Sequence, residues 1–90
     1  MTEDRETRLR RMRMRCWRRG TKEMDMILGP YADAHLAGMN DEELDLLDDL
    51  LNENDQDLYR WVSGVDRAPA RFAALIARLS DFAGTRHGTS

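Results

Sequence analysis

The residues of this chain best suited to chemistry lie in one short segment, residues 17–25, with the sequence WRRGTKEMD. Glycine at position 20 can take the left-handed conformation that ends a helix, so a tight turn would bring the guanidinium groups before it close to the carboxylates after it. Planar guanidinium forks and carboxylates suit geometrically defined contacts with another protein. The pattern also fits a structural interpretation, in which Gly20 ends one helix, Glu23 favours the start of the next and the arginines are solvated.

Outside this segment, the sequence lacks a pattern of catalytic or metal-binding residues. Cys16 lies in an arginine-rich stretch that could lower its pKa, but its spacing from Met12 places it on an apolar helix stripe and predicts a buried thiol. The two histidines, His35 and His87, have no second ligand candidate nearby. The acidic residues between positions 41 and 49 lack the glycine-containing loop of a calcium site. The sequence therefore predicts a protein that is not an enzyme and that binds no structural metal.

Charge is strongly divided along the chain, whose formal net charge is -3. Residues 1–22 hold nine Arg or Lys and three acids, whereas residues 23–66 hold thirteen acids and one basic residue, Arg60. An arginine-rich first helix could follow a phosphate backbone, so a basic nucleic-acid-binding regulatory module is an alternative function. The acidic middle of the chain opposes it, and a docking surface for an acidic protein patch fits at least as well. We therefore expect no nucleic-acid partner.

Hydrophobic periodicity predicts five helices and no strand, and therefore an all-α fold, a compact five-helix bundle. The first three expected helices run from after Thr2 to about Arg19, from Thr21 through Gly29-Pro30 to about Ala37, and from Asn40 to about Leu51. The fourth is marked by apolar residues from Leu58 to Val65, and the fifth covers residues 68–83 with Asp66 as its cap.

Short connections between these helices predict a single domain over residues 1–90, with its core at about 5–83 and a flexible tail at 84–90. We expect this domain to be a monomer. One cysteine and the absence of an apolar run of about 20 residues indicate a reducing compartment and no membrane insertion. Glu3, Asp4 and Glu6 are unexpected in a mitochondrial transit peptide, so the predicted location is the cytoplasm of a bacterium.

The segment Arg19-Gly20-Thr21-Lys22-Glu23 matches an Arg-Gly-x-x-Glu motif, and its surroundings extend the match. By these residues the chain resembles the succinate dehydrogenase assembly factor 2 family, which includes the bacterial flavinylation factors. The further residues that follow the family's order are Asp25, Pro30, Leu50-Leu51, Asp55, Asp57, Leu58, Trp61 and Gly64. The resemblance extends over about residues 8–83.

This resemblance implies a chaperone-like assembly factor that binds the flavoprotein subunit of succinate dehydrogenase or fumarate reductase. The factor would promote covalent attachment of FAD to a histidine of that subunit, so FAD is the client's cofactor and is not held stably by the factor. Carried over by position, the partner-binding residues are Arg19, Gly20 and Glu23 at the centre, with Arg18 and Asp25 alongside. An antitoxin-like role is the other alternative.

Overall fold

The computed structural model of the chain describes residues 4–86 and contains five α-helices, with no strand among those residues. The helices are α1 (Arg5–Trp17), α2 (Lys22–His35), α3 (Asp41–Leu50), α4 (Asp55–Val62) and α5 (Ala73–Arg86). Two short 3₁₀ turns lie at Leu36–Gly38 and Ala70–Phe72. The predicted all-α bundle of five helices is therefore confirmed, whereas the single-domain prediction for residues 1–90 stays a prediction.

Three helices begin at a short polar side chain that accepts a backbone hydrogen bond, which satisfies a donor that has no partner within the helix. Asp4 accepts from the Thr7 N–H at 2.7 Å at the start of α1. Helix α3 begins with a capping box, because Asn40 accepts from the Glu43 N–H and Glu43 accepts from the Asn40 N–H. Asn54 caps α4 by accepting a hydrogen bond from the Asp57 N–H.

Helix α2 occupies the centre of the fold and packs against α1, α4 and α5. It continues through Gly29-Pro30, as predicted, and ends at His35 slightly before the expected Ala37. The next three residues tighten into a 3₁₀ turn, which commonly follows the end of an α-helix. Because α2 is the shared packing partner, its first turn holds a defined position relative to α4 and α5.

The buried core consists of aliphatic, methionine and aromatic side chains from all five helices and the two 3₁₀ turns, together with Cys16 and Met39. Leu58, Leu75 and Leu79 are each at most 1% exposed. Among residues 4–84, none of the buried side chains is polar or charged apart from the Cys16 thiol and the Tyr31 hydroxyl. The apolar stripes predicted for the helices therefore form one core.

Two predictions around the end of α4 are wrong. Val65 is 67% exposed instead of continuing the apolar stripe, because α4 ends at Val62 and Gly64 turns the chain with φ 85°. Asp66 pairs with Arg60 and does not cap the last helix. Helix α5 begins at Ala73, several residues later than predicted, since Pro69 disfavours a helical conformation in the residue before it.

The predicted tail and the start of the chain are described in part. Helix α5 extends to Arg86, into the segment for which the sequence predicts a tail, and residues 87–90 lie outside the described part of the chain. No helix within residues 4–86 has the length together with the apolar composition that a bilayer crossing requires.

Trp17, the last residue of α1, rests on the backbone of Gly29 in α2. A methyl group built on Gly29 would lie 2.3 Å from Cδ2 of the indole, so only glycine admits this close approach. The indole Nε1 donates to the Asp33 carboxylate at 3.3 Å, and the side chain is 41% exposed. Trp17 thus packs on one face and is open to solvent on the other.

Substituting Gly29→Ala should displace the indole of Trp17, because the new methyl group occupies its place. Stability should change little, since alanine also gains about 1 kcal/mol of helix propensity over glycine. We expect a red-shifted Trp17 emission, measured in a Trp61→Phe background. Gly38→Ala is the matched control, as nothing lies within 4 Å of its added methyl group. An unchanged emission in Gly29→Ala would show that the indole is not held on the α2 backbone.

Candidate functional site

The turn between α1 and α2 holds the residues that the sequence singles out. Helix α1 ends at Trp17 instead of about Arg19, and the N–H of Arg18 closes it by donating to the Met14 carbonyl at 3.0 Å. Gly20 has φ 107°, a left-handed conformation that residues with a side chain rarely adopt. The tight turn predicted at Gly20 is therefore present.

Asp25, which lies in the first helical turn of α2, closes the tight turn at Gly20. Its Oδ1 accepts a hydrogen bond of 2.7 Å from the backbone N–H of Arg19, six residues earlier. The Asp25 side chain is half-buried. Its bond provides an acceptor for the N–H of Arg19, which lies beyond the end of α1 and makes no hydrogen bond within the helix. Asp25 therefore fixes the path of the turn and has this task within the chain itself.

The Arg19 side chain reaches away from the turn to the connection between α3 and α4. Its Nε donates to Oδ1 of Asp55 at 2.8 Å. Its two terminal nitrogens donate to backbone carbonyls, Nη1 to Leu51 and Nη2 to Glu53, the latter at 2.6 Å. The guanidinium thus uses all three of its nitrogens on partners within the chain.

Asp55 is the acceptor that joins the two connections. Its second oxygen, Oδ2, accepts from the Thr21 hydroxyl at 2.9 Å. This bond explains why the side chain of Thr21, the residue before α2, does not cap the helix. The Arg19 and Asp55 side chains are only 11% and 12% exposed. We call Arg19, Thr21, Asp25 and Asp55 the junction clamp. A charge pair this buried is costly to break, because removing one partner leaves the other desolvated and unpaired.

The remaining charged groups of the turn point into solvent. Arg18, Lys22 and Glu23 are exposed. Within the described side chains of residues 4–84, those of Arg18 and Glu23 form no hydrogen bond or ion pair. The structure therefore brings the five predicted site residues together but divides them. Arg19 and Asp25 are engaged inside the chain, Gly20 shapes the turn, and Arg18 and Glu23 are available to a partner.

Sequence reasoning missed Asp55 as a site residue. Asp55 is 36 residues from Arg19, and only the packing of α4 beside the turn brings the two together. Asp55 is one of the residues that follow the family's order, and this indicated that the position matters. That order does not show that Asp55 binds Arg19.

Four arginines of α1 face the acids of α3, so part of the charge division along the sequence is compensated within the molecule. Arg8 pairs with Asp45 at 2.6 Å, and Arg15 pairs with Asp48. Weaker pairs at 3.8 Å join Arg5 to Asp41 and Arg11 to Asp48. A phosphate backbone bound to this face would have to compete with these carboxylates, which weighs against a nucleic-acid-binding surface on α1.

Cys16 is buried, as predicted, and is 1% exposed. Burial raises the pKa of its thiol from 9.0 to about 12, although the charges of Arg19 and Arg15 oppose the rise. His35 packs its ring against Tyr31 and Phe82, at centroid distances of 4.8 and 5.5 Å. No group of three or more His, Cys, Asp and Glu side chains within residues 4–86 could hold a metal ion.

Comparison with known proteins supports the resemblance drawn from the motif. A family model described as flavinator of succinate dehydrogenase matches residues 10–83, which include the whole junction clamp. The chain is 37% identical to succinate dehydrogenase assembly factor 2-B, mitochondrial, of Drosophila mojavensis over 76 residues, covering 82% of this chain and 48% of the relative. It is 39% identical to succinate dehydrogenase assembly factor 2, mitochondrial, of Mycosarcoma maydis over 72 residues, with 80% and 30% covered. A protein of the same name from Candida glabrata is 40% identical over 70 residues, with 72% and 46% covered.

These relatives contradict the predicted location in a bacterial cytoplasm, since each of them is named as a mitochondrial protein. The prediction rested on three acids at positions 3, 4 and 6, but the family match begins at residue 10. The chain also spans half or less of the length of these relatives. The acids near its start therefore carry no information about targeting.

The Cys16 thiol should resist alkylation in the folded protein. Its raised pKa keeps it protonated at pH 8, and burial blocks the reagent. Iodoacetamide labelling followed by mass spectrometry should be far slower in the native chain than in urea. Because the folded-state pKa lies above that of the unfolded thiol, this group's contribution to stability is complete below pH 9.0 and is lost as pH rises toward about 12. Equal labelling rates would contradict the buried site.

Arg19→Lys should destabilise the fold although it keeps the charge. An ammonium can pair with Asp55 but cannot also reach both backbone carbonyls, so we expect the free energy of unfolding to fall by about 2 to 3 kcal/mol. The neighbouring substitution Arg18→Lys is the control and should change it by less than about 0.5 kcal/mol. Urea titration followed by circular dichroism measures both. Equal stabilities for the two variants would show that the bonds from Arg19 to the two backbone carbonyls contribute nothing to folding.

Proposed function

The chain belongs to the flavinator of succinate dehydrogenase family, and on that premise we propose that it binds the flavoprotein subunit of succinate dehydrogenase and promotes covalent attachment of FAD to that subunit. The observation that carries the proposal is the family match over residues 10–83, because it covers the turn at Gly20 and every residue of the junction clamp. The flavoprotein subunit of fumarate reductase, the other client that the resemblance implies, is included in this proposal.

The turn supports this role by presenting charged groups on a rigid base. The junction clamp orders the backbone of residues 18–25 before any partner binds, so little conformational entropy remains to be lost on docking. Glu23 and Arg18 are then the groups that contact the client, and Arg19, Gly20 and Asp25 hold them in position. A contact near the centre of a small interface is worth about 2 kcal/mol or more.

The chain needs no reactive group of its own for this task. The histidine that becomes linked to the flavin belongs to the client, and FAD is the client's cofactor. By binding one arrangement of the client more tightly than others, the chain raises the population in which histidine and cofactor are aligned. A buried, protonated Cys16 suits such a role, which is that of an assembly factor and not of an enzyme. We further propose that the chain acts as a monomer and a single domain.

The alternatives of a nucleic-acid-binding or antitoxin-like module receive less support. The basic face of α1 that suggested the former is engaged by Asp41, Asp45 and Asp48 of α3. Tight binding of nucleic acid at physiological salt would require these ion pairs to be exchanged for phosphate contacts.

Glu23→Gln should reduce covalent flavinylation of the client while leaving the fold intact. The substitution keeps shape and helix propensity and removes only the charge, whose effect on the helix start is at most about 1 kcal/mol. Loss of about 2 kcal/mol of binding should weaken affinity roughly 30-fold, so flavinylation should fall at limiting factor and recover when the variant is in excess.

The measurement is flavin fluorescence of the denatured flavoprotein subunit, produced with each variant in a strain lacking its own factor. Glu42→Gln is the matched control, because Glu42 is an exposed acid in the first turn of α3, away from the turn at Gly20. Normal flavinylation by Glu23→Gln at limiting factor would remove Glu23 from the client contact. No flavinylation by the parent chain with either client would remove the proposed function.

A further inference from the structure

Two shallow grooves meet beside Glu23 on the surface formed by α2, α4 and α5. Each has a volume of about 390 Å³. Glu23 and Tyr59 line both grooves. One groove runs between the start of α2 and α4 past Gln56, and the other runs toward α5 past Met26. We call the surface formed by Glu23, Met26 and Tyr59 the Glu23 face.

The Glu23 face exposes two large apolar side chains to solvent. Met26 is 45% exposed and Tyr59 is 46% exposed, and they are two of the five large apolar side chains that are exposed within residues 4–86. Both flank a carboxylate and adjoin grooves whose floors include buried Ile27 and Val62. Apolar side chains that cluster beside a groove mark a surface that another molecule covers.

Glu23 is also the charged side chain on this face for which the described side chains provide no partner of opposite charge. Asp55 lines a groove but accepts from Arg19 and Thr21. Arg60 lines the same groove and is held by Asp66 at 2.5 Å. Among the side chains described, those of residues 4–84, the Glu23 carboxylate has no such partner. A molecule that covers this face must therefore bring a positive charge, because burying an unpaired carboxylate is costly.

We propose that the Glu23 face docks a segment of the client flavoprotein in which one basic side chain is flanked by apolar side chains. The basic group pairs with Glu23, and the apolar groups lie in the two grooves against Met26 and Tyr59. This inference rests on the proposed function and extends the contact from the turn at Gly20 to α4 and α5. Its support is the complementary charge and the continuity of the grooves with Glu23, the residue already assigned to the client.

The test measures binding of the full chain to the purified flavoprotein subunit of succinate dehydrogenase by titration calorimetry. Met26→Ser combined with Tyr59→Ser should weaken affinity by at least about tenfold, since two apolar contacts are lost. Val65→Ser is the matched control, because Val65 is 67% exposed but lines neither groove, and its affinity should stay within about twofold of the parent. Circular dichroism verifies that each variant is folded, as expected for substitutions at exposed positions.

Salt separates the charged contact from the apolar ones. Raising ionic strength should weaken binding of the parent and of the Met26→Ser, Tyr59→Ser variant alike, whereas Glu23→Gln should show a flatter salt dependence. An equal salt dependence in the parent and Glu23→Gln would overturn the proposed pairing with a basic group.

The outcomes distinguish this inference from the function on which it rests. If the parent chain does not bind the flavoprotein subunit, the proposed function fails. If the parent binds and the Met26→Ser, Tyr59→Ser variant binds equally well, the function stands and the Glu23 face is not the docking surface. If that variant instead loses self-association of the chain, measured by sedimentation, and keeps its affinity for the flavoprotein, the face binds a second copy and the inference is overturned.

Discussion

The structure depends on one nearly buried guanidinium, that of Arg19, which joins two connections that are distant in sequence. Through Asp55 and the carbonyls of Leu51 and Glu53, it ties the turn after α1 to the connection before α4. With both groups nearly buried, the pair leaves little freedom in the backbone around Gly20. The position of Glu23, one turn further along, follows from this constraint. The residues that hold the turn and the residues that face solvent are therefore different members of one motif.

Opposite charge performs a second task between α1 and α3. The acids of α3 lie along the arginines of α1, so the basic first helix folds against the acidic third helix. Most of these pairs are partly exposed, and each contributes little on its own. They orient two helices that each contribute buried apolar side chains to the core, such as Met12 and Leu44. The charge division in the sequence thus mainly serves to place α1 beside α3. The few charged groups near Gly20 that lack such a pair are exceptions to it.

Local signals in the sequence predict the helices but not the partners of the site. The Asn40–Glu43 capping box and the regular stripe through Leu75 and Leu79 are present because short-range spacing determines them. The tight turn at Gly20 follows for the same reason. The bond from Arg19 to Asp55 depends on how α4 packs, which no local pattern specifies. Val65 was misassigned because an apolar residue at helical spacing does not reveal that Gly64 has already turned the chain.

If Arg19 holds the turn while Glu23 contacts the client, substitutions at the two positions should change the affinity per folded molecule differently. Titration calorimetry with the flavoprotein subunit, at a temperature where circular dichroism shows both variants folded, compares Arg19→Lys with Glu23→Gln. In folded Arg19→Lys the ammonium can still pair with Asp55, and the bond from the residue 19 N–H to Asp25 still closes the turn, so the turn keeps its path. Arg19→Lys should therefore bind within about threefold of the parent, whereas Glu23→Gln should bind at least about tenfold more weakly. The reverse order, with Arg19→Lys failing to bind while folded and Glu23→Gln binding normally, would contradict the account.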